Sequence, residues 1–254
     1  MATALVTGAS AGLGEEFAWQ LATAGHDVVL VARSRDRLSE MAEVIASATG
    51  VDVKVLVADL ADPEQLETVA ARLDDRERPV SLLVNNAGFG LGEGFLASSW
   101  EAEKRMLDVL VAAPMRLSHA ALPGMVERGH GAVLNVASIA AHLGNSTYAA
   151  HKRWVVEFTE ALAGQLSGTG VTATVVLPGL VRTEFHDGPT LAHMREDFPE
   201  SVWLTPEQVV SSALGAVRRG QVTVTPSALY GIAGGALRFV PKRLTRGRRS
   251  QRRD

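Results

Sequence analysis

The sequence predicts a doubly wound α/β fold on a parallel sheet, and three observations carry that prediction. Short β-rich apolar runs alternate with helical patterns from residue 4 to about residue 177. The runs at 27–32 and 132–137 are almost continuously apolar, as strands covered on both faces must be. Each glycine-rich or polar motif stands at the end of such a run, where open parallel sheets place their ligands. With 254 residues, 46% of them hydrophobic, the chain can bury one full core, so a single domain over residues 1–241 is expected.

The first strand is Ala4-Leu5-Val6, and the turn Thr7-Gly8-Ala9-Ser10-Ala11-Gly12-Leu13-Gly14 follows it directly. Phe17, Ala18, Leu21 and Ala22 then recur at helical spacing until Gly25 stops the helix. A second strand at 27–32 precedes a helix marked by Leu38, Met41, Ala42 and Ile45, which completes a βαβ unit. The third strand, 51–58, closes in Asp59-Leu60, and Pro63 opens a helix running to about residue 73. The fourth, 80–84, runs into Asn85-Asn86-Ala87-Gly88. A long helix is expected over about 100–126, interrupted or kinked at Pro114 and Pro123, because proline has no amide hydrogen for the ladder. A fifth strand at 132–137, a helix at 147–166 and a sixth strand at 171–177 complete the alternation.

From 182 to about 204 the pattern gives way to polar, proline and aromatic residues, among them Phe185, His186, Pro189, Met194, Phe198, Pro199 and Trp203. An excursion of this length reads as a lid. Thr205 caps a further helix with Pro206 at its first position, and 221–225 reads as a last strand. The apolar segment 226–240 is weakened as a helix by Gly231, Gly234 and Gly235.

Composition bounds the chemistry. Zero cysteines exclude disulfides, thiolate metal sites and a cysteine nucleophile. The seven histidines, His142, His151 and His186 among them, show no metal spacing; they read as loop and surface residues, and no metal is expected. Net charge is −3, but residues 242–254 hold seven Lys/Arg and one Asp, against 18 basic and 27 acidic residues before them. That tail is expected to be solvated and disordered, with weak contact to an anionic membrane surface as its sharper reading; nothing indicates nucleic acid. The start shows no leader pattern and no apolar stretch reaches the roughly 20 residues of a span, so a cytoplasmic protein is expected.

The first turn has the layout that receives a dinucleotide pyrophosphate. Gly8 permits the tight turn, Gly12 admits the phosphates to backbone N–H groups, and Gly14 lets helix and strand pack closely, with the helix N-terminus facing the anion. Ser138 ends the fifth strand, and Tyr148 and Lys152 follow at i and i+4 on one helix face. A phenol of ordinary pKa about 10 is a poor acid–base group at neutral pH. A neighbouring ammonium, together with an oxidised nicotinamide ring, would favour the phenolate, while the Ser138 hydroxyl holds a substrate oxygen.

Gly8/Gly12/Gly14, Asn85-Asn86-Ala87-Gly88, Ser138, Tyr148/Lys152 and Pro178-Gly179, in this order, resemble the short-chain dehydrogenase/reductase family over nearly the whole chain, about residues 2–219. The resemblance implies a Rossmann-like sheet and makes Ser138, Tyr148 and Lys152 catalytic, with Lys152 also holding the nicotinamide ribose. It implies a cofactor site of Gly8, Ser10, Gly12, Leu13, Gly14, Asp59, Leu60, Asn86, Ala87, Gly88, Tyr148 and Lys152. Asp59 meets the adenine, and Pro178, Gly179, Val181 and Thr183 lie along the carboxamide. It also implies a homo-oligomer, for which Trp154, Val155, Phe158 and Leu162 are candidate contacts.

Two departures from the family stand out. The interval from Ser138 to Tyr148 is about three residues shorter than in many members, so the loop at 142–145 must cross more tightly. The asparagine that normally supports a proton-relay water on the long helix is replaced by Leu110. Cofactor choice is read at the end of the second strand, where Ala32-Arg33-Ser34-Arg35 offers guanidinium groups and no carboxylate. Arg33, assisted by Ser34 or Arg37, suits a 2′-phosphate, so NADP(H) is expected.

The expected function is hydride transfer between NADP(H) and a carbonyl/alcohol group of a fairly apolar small molecule, held among Phe89, Leu91, Phe95, Leu143, Leu180, Phe185 and Trp203. Two other classes stay open at this level. One is a redox sensor or regulatory protein that binds NADP(H) without turnover, and the other is a membrane-surface protein working through its basic tail.

Overall fold

A computed structural model describes residues 2–183, 198–227 and 230–231. Seven strands form one parallel sheet in the order β3-β2-β1-β4-β5-β6-β7. They are β1 (Thr3–Thr7), β2 (Asp27–Ala32), β3 (Val53–Val57), β4 (Val80–Asn85), β5 (Gly131–Val136), β6 (Val171–Val176) and β7 (Thr223–Val224). Strand order reverses between β1 and β4, which leaves a crevice at their carboxyl ends. The glycine turn and Asn85-Asn86-Ala87-Gly88 both open onto it.

Alternation of side chains along each strand feeds two cores. Ala4, Val6, Val28 and Leu30 face one side, where α1 (Gly12–Thr23), α2 (Arg35–Thr49) and α7 (Pro206–Arg218) bring Phe17, Leu21, Leu38, Ile45, Val209 and Val210. Leu5, Val29, Val31, Leu83 and Val133 face the other, covered by α3 (Pro63–Asp74) and α5 (Ala113–Arg128) through Val69, Ala70, Leu117 and Met125. Between them α6 (Thr147–Gln165) packs Val155 and Val156 on Val175. Helix starts follow their caps. Asp62 accepts from the N–H groups of Glu64 and Gln65 ahead of α3, and Thr205 with Gln208 forms a reciprocal capping box on α7.

The long helix is interrupted just before Pro114, as expected, but by a π turn, and it passes through Pro123. From α4 (Trp100–Leu107) it continues through a π-helical turn, Asp108–Ala112, into α5 without a break, and Pro123 sits inside α5. Pro114 withholds an amide from the carbonyl of Leu110, and one turn earlier the backbone widens so that the Ala113 N–H bonds to Asp108. The helix absorbs the proline by widening. An 18-residue window of Trp100–Arg128 has mean hydropathy 1.3, long and apolar enough to cross a membrane, contrary to the expectation that no stretch was. It is 56% buried inside the fold, so its apolar face is spent on the core.

Of the candidate contacts on α6, Val155 is core at 2% exposure, whereas Trp154 and Phe158 stack 4.7 Å apart and stay partly exposed. His151 is a half-buried residue of α6, not a loop or surface histidine, and His26 likewise buries its Nδ1. The third strand begins at Val53 and the last has two residues. Most of the predicted lid, at 184–197, and the tail 242–254 lie outside the described residues, as do Gly234 and Gly235.

Candidate active site

The crevice is stitched shut at its base by Thr7 and Asn86. Thr7 Oγ1 donates to the Val84 carbonyl and accepts from the N–H groups of Asn86 and Ala87, at 3.3, 3.0 and 3.1 Å. Asn86 Nδ2 returns to the carbonyls of Thr7 and Gly8 at 2.9 and 3.3 Å. The glycine turn is held against β4 by these bonds. Gly8 takes φ +65°, and a Cβ there would lie 2.8 Å from Ala87 Cα. A Cβ on Gly14 would lie 2.0 Å from the Gly8 carbonyl oxygen. Gly14→Ala must therefore push the turn off the helix, with an expected loss of about 3 kcal/mol and ~6–12 °C in Tm, read by thermal melting.

Ala11 precedes α1 and has no side chain that caps it, so the first N–H groups of the helix stay open toward the crevice. An anion is the partner that such an end favours. Thr183 crosses over Gly12, with Thr183 Cβ 3.1 Å from where a Gly12 Cβ would stand. Ser10 gives its carbonyl to Arg37 Nε at 3.1 Å, and Arg37 also pairs with Glu15 at 3.3 Å. Arg37 is thus engaged in closing the turn, whereas Arg33 is exposed and acts on Asp59 by its charge alone. Open helix end, glycine cradle and exposed guanidinium together fit a dinucleotide carrying an extra phosphate.

Asp59, at the end of β3, is held from two sides. Its Oδ1 accepts the Ala61 N–H at 3.0 Å and its Oδ2 meets Arg105 Nη2 at 2.6 Å. Burial would raise this carboxyl, but the hydrogen bonds from Arg105 and Ala61 and the charges of Arg105 and Arg33 outweigh it and hold the group below its ordinary range. Leu60 beside it is 7% exposed. Arg105 was invisible in the sequence because it reaches Asp59 from a helix 46 residues away.

Ser138 caps a 3₁₀ turn, Ile139–His142, by accepting the Ala140 N–H at 3.1 Å, and Ser146 caps α6 through Ala149 at the same distance. A compact 3₁₀ turn takes up the short interval, and the hydroxyl of Ser138 still hydrogen-bonds Tyr148. Lys152 is buried and donates Nζ to the Val136 carbonyl at 2.7 Å, 5.8 Å from the Tyr148 ring centroid. Gly88 makes room for it: a Cβ there would sit 3.5 Å from Lys152 Nζ and 2.7 Å from Leu110 Cδ2. The chain's own groups, apart from any nicotinamide ring, favour the neutral phenol. Burial pushes the Tyr148 phenol up to about 12 against the Ser138 hydrogen bond, and pulls the Lys152 ammonium down to about 8. Desolvation penalises both charged forms and outweighs their attraction across this separation, so at neutral pH the pair is a neutral phenol beside an ammonium.

After β6, Pro178 and Gly179 run beneath Tyr230, a residue that no motif of the chain singles out. Its ring would lie 2.3 Å from a Gly179 Cβ, its hydroxyl donates to the Val202 carbonyl at 2.7 Å, and it accepts the Leu180 N–H at 3.2 Å. Val181 bridges Leu204, so both ends of the 182–204 excursion are clamped side by side at the crevice. Phe89, Leu91, Leu143 and Leu180 are half-buried, Phe89 against the core that α3 and α5 cover. Two expected lining residues are placed otherwise: Phe95 is 62% exposed, and Trp203 is buried with its indole N–H on the Phe198 carbonyl. Phe185 lies outside the described residues.

A family model described as short chain dehydrogenase matches residues 2–190. Sulfoacetaldehyde reductase 2 of Chromohalobacter salexigens is 35% identical over 189 residues, spanning 71% of this chain and 73% of the relative. The NADP-dependent 3-hydroxy acid dehydrogenase YdfG of Escherichia coli is 34% identical over 218 residues, 78% of this chain and 86% of the relative. A short-chain dehydrogenase from Sphingobium yanoikuyae, solved in complex with NADPH, superposes with a TM-score of 0.85 at 32% identity, covering 100% of this chain and 99% of that one. Motif order, sheet order and these matches together show that the chain belongs to the short-chain dehydrogenase family of oxidoreductases.

Proposed function

We propose that the protein reduces a carbonyl group, or oxidises the corresponding alcohol, on a fairly apolar small molecule with NADP(H). The observation that carries this reading is the Ser138–Tyr148 hydrogen bond above a buried Lys152, a proton donor held where the crevice of a dinucleotide-binding sheet opens. When bound, the cofactor supplies the hydride, and the protein supplies orientation and the proton. Ser138 orients the substrate oxygen, Tyr148 gives or takes its proton, and Lys152 holds the nicotinamide ribose and replenishes the phenol. The glycine turn and the open end of α1 take the pyrophosphate, Asp59 and Leu60 the adenine, and Arg33 the 2′-phosphate. Asn86, Ala87 and Gly88 line the ribose, and Pro178, Gly179, Val181 and Thr183 the carboxamide side. The half-buried Phe89, Leu91, Leu143 and Leu180 favour an apolar substrate.

NADPH oxidation against a panel of aliphatic ketones, ketosteroids, 3-ketoacyl thioesters and small aldehydes tests this reading. Turnover fastest on an apolar ketone is expected. Tight NADPH binding with no turnover on any carbonyl would instead mark a cofactor-binding sensor.

The protonation states make a pH prediction. The reductive form needs a neutral phenol, which persists far above neutrality, and a charged Lys152, which is lost as pH rises through about 8. The kcat/KM for NADPH, which reports the free enzyme, is expected to be level below that region and to decline through about pH 8. A profile still level well above pH 8 would remove Lys152 from the role given to it.

A further inference from the structure

Residues Pro178 to Thr183 belong to no helix and to no strand of the sheet, yet they cross its carboxyl ends from β6 to the glycine turn. At one end the Pro178 carbonyl accepts the N–H of Ile139, the neighbour of Ser138, at 2.9 Å. At the other, Thr183 lies over Gly12. A segment without regular structure must find partners for its backbone groups elsewhere in the fold. Leu204 supplies two of them. Its N–H donates to the Leu180 carbonyl at 2.8 Å and its carbonyl accepts the Arg182 N–H at 3.0 Å, on either side of the Val181–Leu204 bridge.

The Leu180 N–H goes to a side chain from beyond the last strand. Val224 of β7 takes the Leu177 N–H on its carbonyl at 2.8 Å, and six residues later Tyr230 returns over the same segment with 8% exposure. Its ring fills the space above Gly179. Cε2 and Cζ lie 2.3 Å from where a Cβ would stand, so residue 179 can carry no side chain while the ring is seated. The hydroxyl accepts the Leu180 N–H at 3.2 Å and donates to the Val202 carbonyl at 2.7 Å. Leu180 leads into the 182–204 excursion and Val202 leads out of it, so one phenol joins both arms. Its removal would leave an amide and a carbonyl without their partner, a larger penalty than the mean value of a hydrogen bond.

We infer that Tyr230 is a positioning residue for the nicotinamide end of the cofactor. It acts through Gly179 and Leu180 rather than on the reacting atoms, and keeps Pro178–Thr183 in the form that receives the carboxamide before the cofactor arrives. A segment set in advance spares the complex the cost of ordering it on binding. The groups assigned to proton transfer, Ser138, Tyr148 and Lys152, stand at the 3₁₀ turn and on α6, and Arg33 stands at the end of β2. Loss of the Tyr230 hydroxyl therefore acts on binding of the nicotinamide half and on little else.

This inference rests on the reading that the segment meets the nicotinamide, and its test is a binding measurement that needs no turnover. Tyr230→Phe keeps the ring over Gly179 and removes the hydroxyl. Wild type and variant are titrated with NADPH, with NADH and with adenosine 2′,5′-bisphosphate, a probe that carries adenine and the 2′-phosphate but no nicotinamide. NADPH and NADH are each expected to bind the variant about tenfold more weakly, with their ratio kept, while the bisphosphate binds both proteins alike. On a confirmed substrate the KM for NADPH is expected to rise with that loss and kcat to stay within about threefold. A general packing defect would weaken all three ligands together. Hydrogen exchange of the Leu180 amide in wild type without cofactor covers the case in which the variant does not fold, and protection is expected. Unchanged NADPH affinity in Tyr230→Phe, an equal loss for the bisphosphate, or exchange of the Leu180 amide as fast as in an open loop would overturn the role. A wild type that binds NADPH but turns over no carbonyl would instead remove the proposed reaction, and the affinities would still decide what Tyr230 does.

Discussion

Tyr148→Phe is expected to lose two or more orders of magnitude in turnover on the best carbonyl substrate while binding NADPH as the wild type does. Phenylalanine keeps the ring that packs at the start of α6 and removes the one O–H that faces Ser138. The loss corresponds to the roughly 10²–10⁴-fold contribution of a positioned acid–base group. Lys152→Ala is expected to go further and damage binding as well, since its ammonium is the buried cation beside Gly88 at the cofactor-facing end of β4. Single-turnover NADPH oxidation and a fluorescence titration of NADPH separate the two effects. Wild-type turnover in Tyr148→Phe would show that the proton comes from elsewhere.

Arg33→Ala carries the second large effect. Wild type is expected to bind NADPH at least tenfold more tightly than NADH, about 1.4 kcal/mol, because an exposed guanidinium can take the 2′-phosphate as a planar fork. The substitution is expected to erase most of that difference by weakening NADPH and leaving NADH nearly as it was. Arg37 does not take over the role, being held on the Ser10 carbonyl and Glu15. Equal affinity of the wild type for the two cofactors would defeat the assignment.

Much of this was legible in the chain because it is local. Strands such as 27–32 and 171–176 are written as apolar runs, and a parallel sheet covered on both faces asks for little else. The glycine turn, the Thr205 cap and the i, i+4 pairing of Tyr148 with Lys152 depend on residues within one or two turns of each other, so spacing alone exposes them. The resemblance to a family then joined those pieces in order.

What the sequence by itself determined, then, is the alternating fold, the glycine turn and the identity of the chemical groups. Tertiary structure decided their state. Burial raises the Tyr148 phenol and lowers the Lys152 ammonium, because desolvation depends on every element packed around α6 and not on the lysine one turn away. The interruption expected in the long helix took the form of a widened turn at Asp108–Ala112, which keeps the helix continuous against the sheet. Asp59 with Arg105, Gly179 with Tyr230, and Asn85 with Asn135 and Ser118 are separated by 46, 51, 50 and 33 residues, and no periodicity reaches that far. Such contacts exist only once the sheet order has brought distant strand ends together.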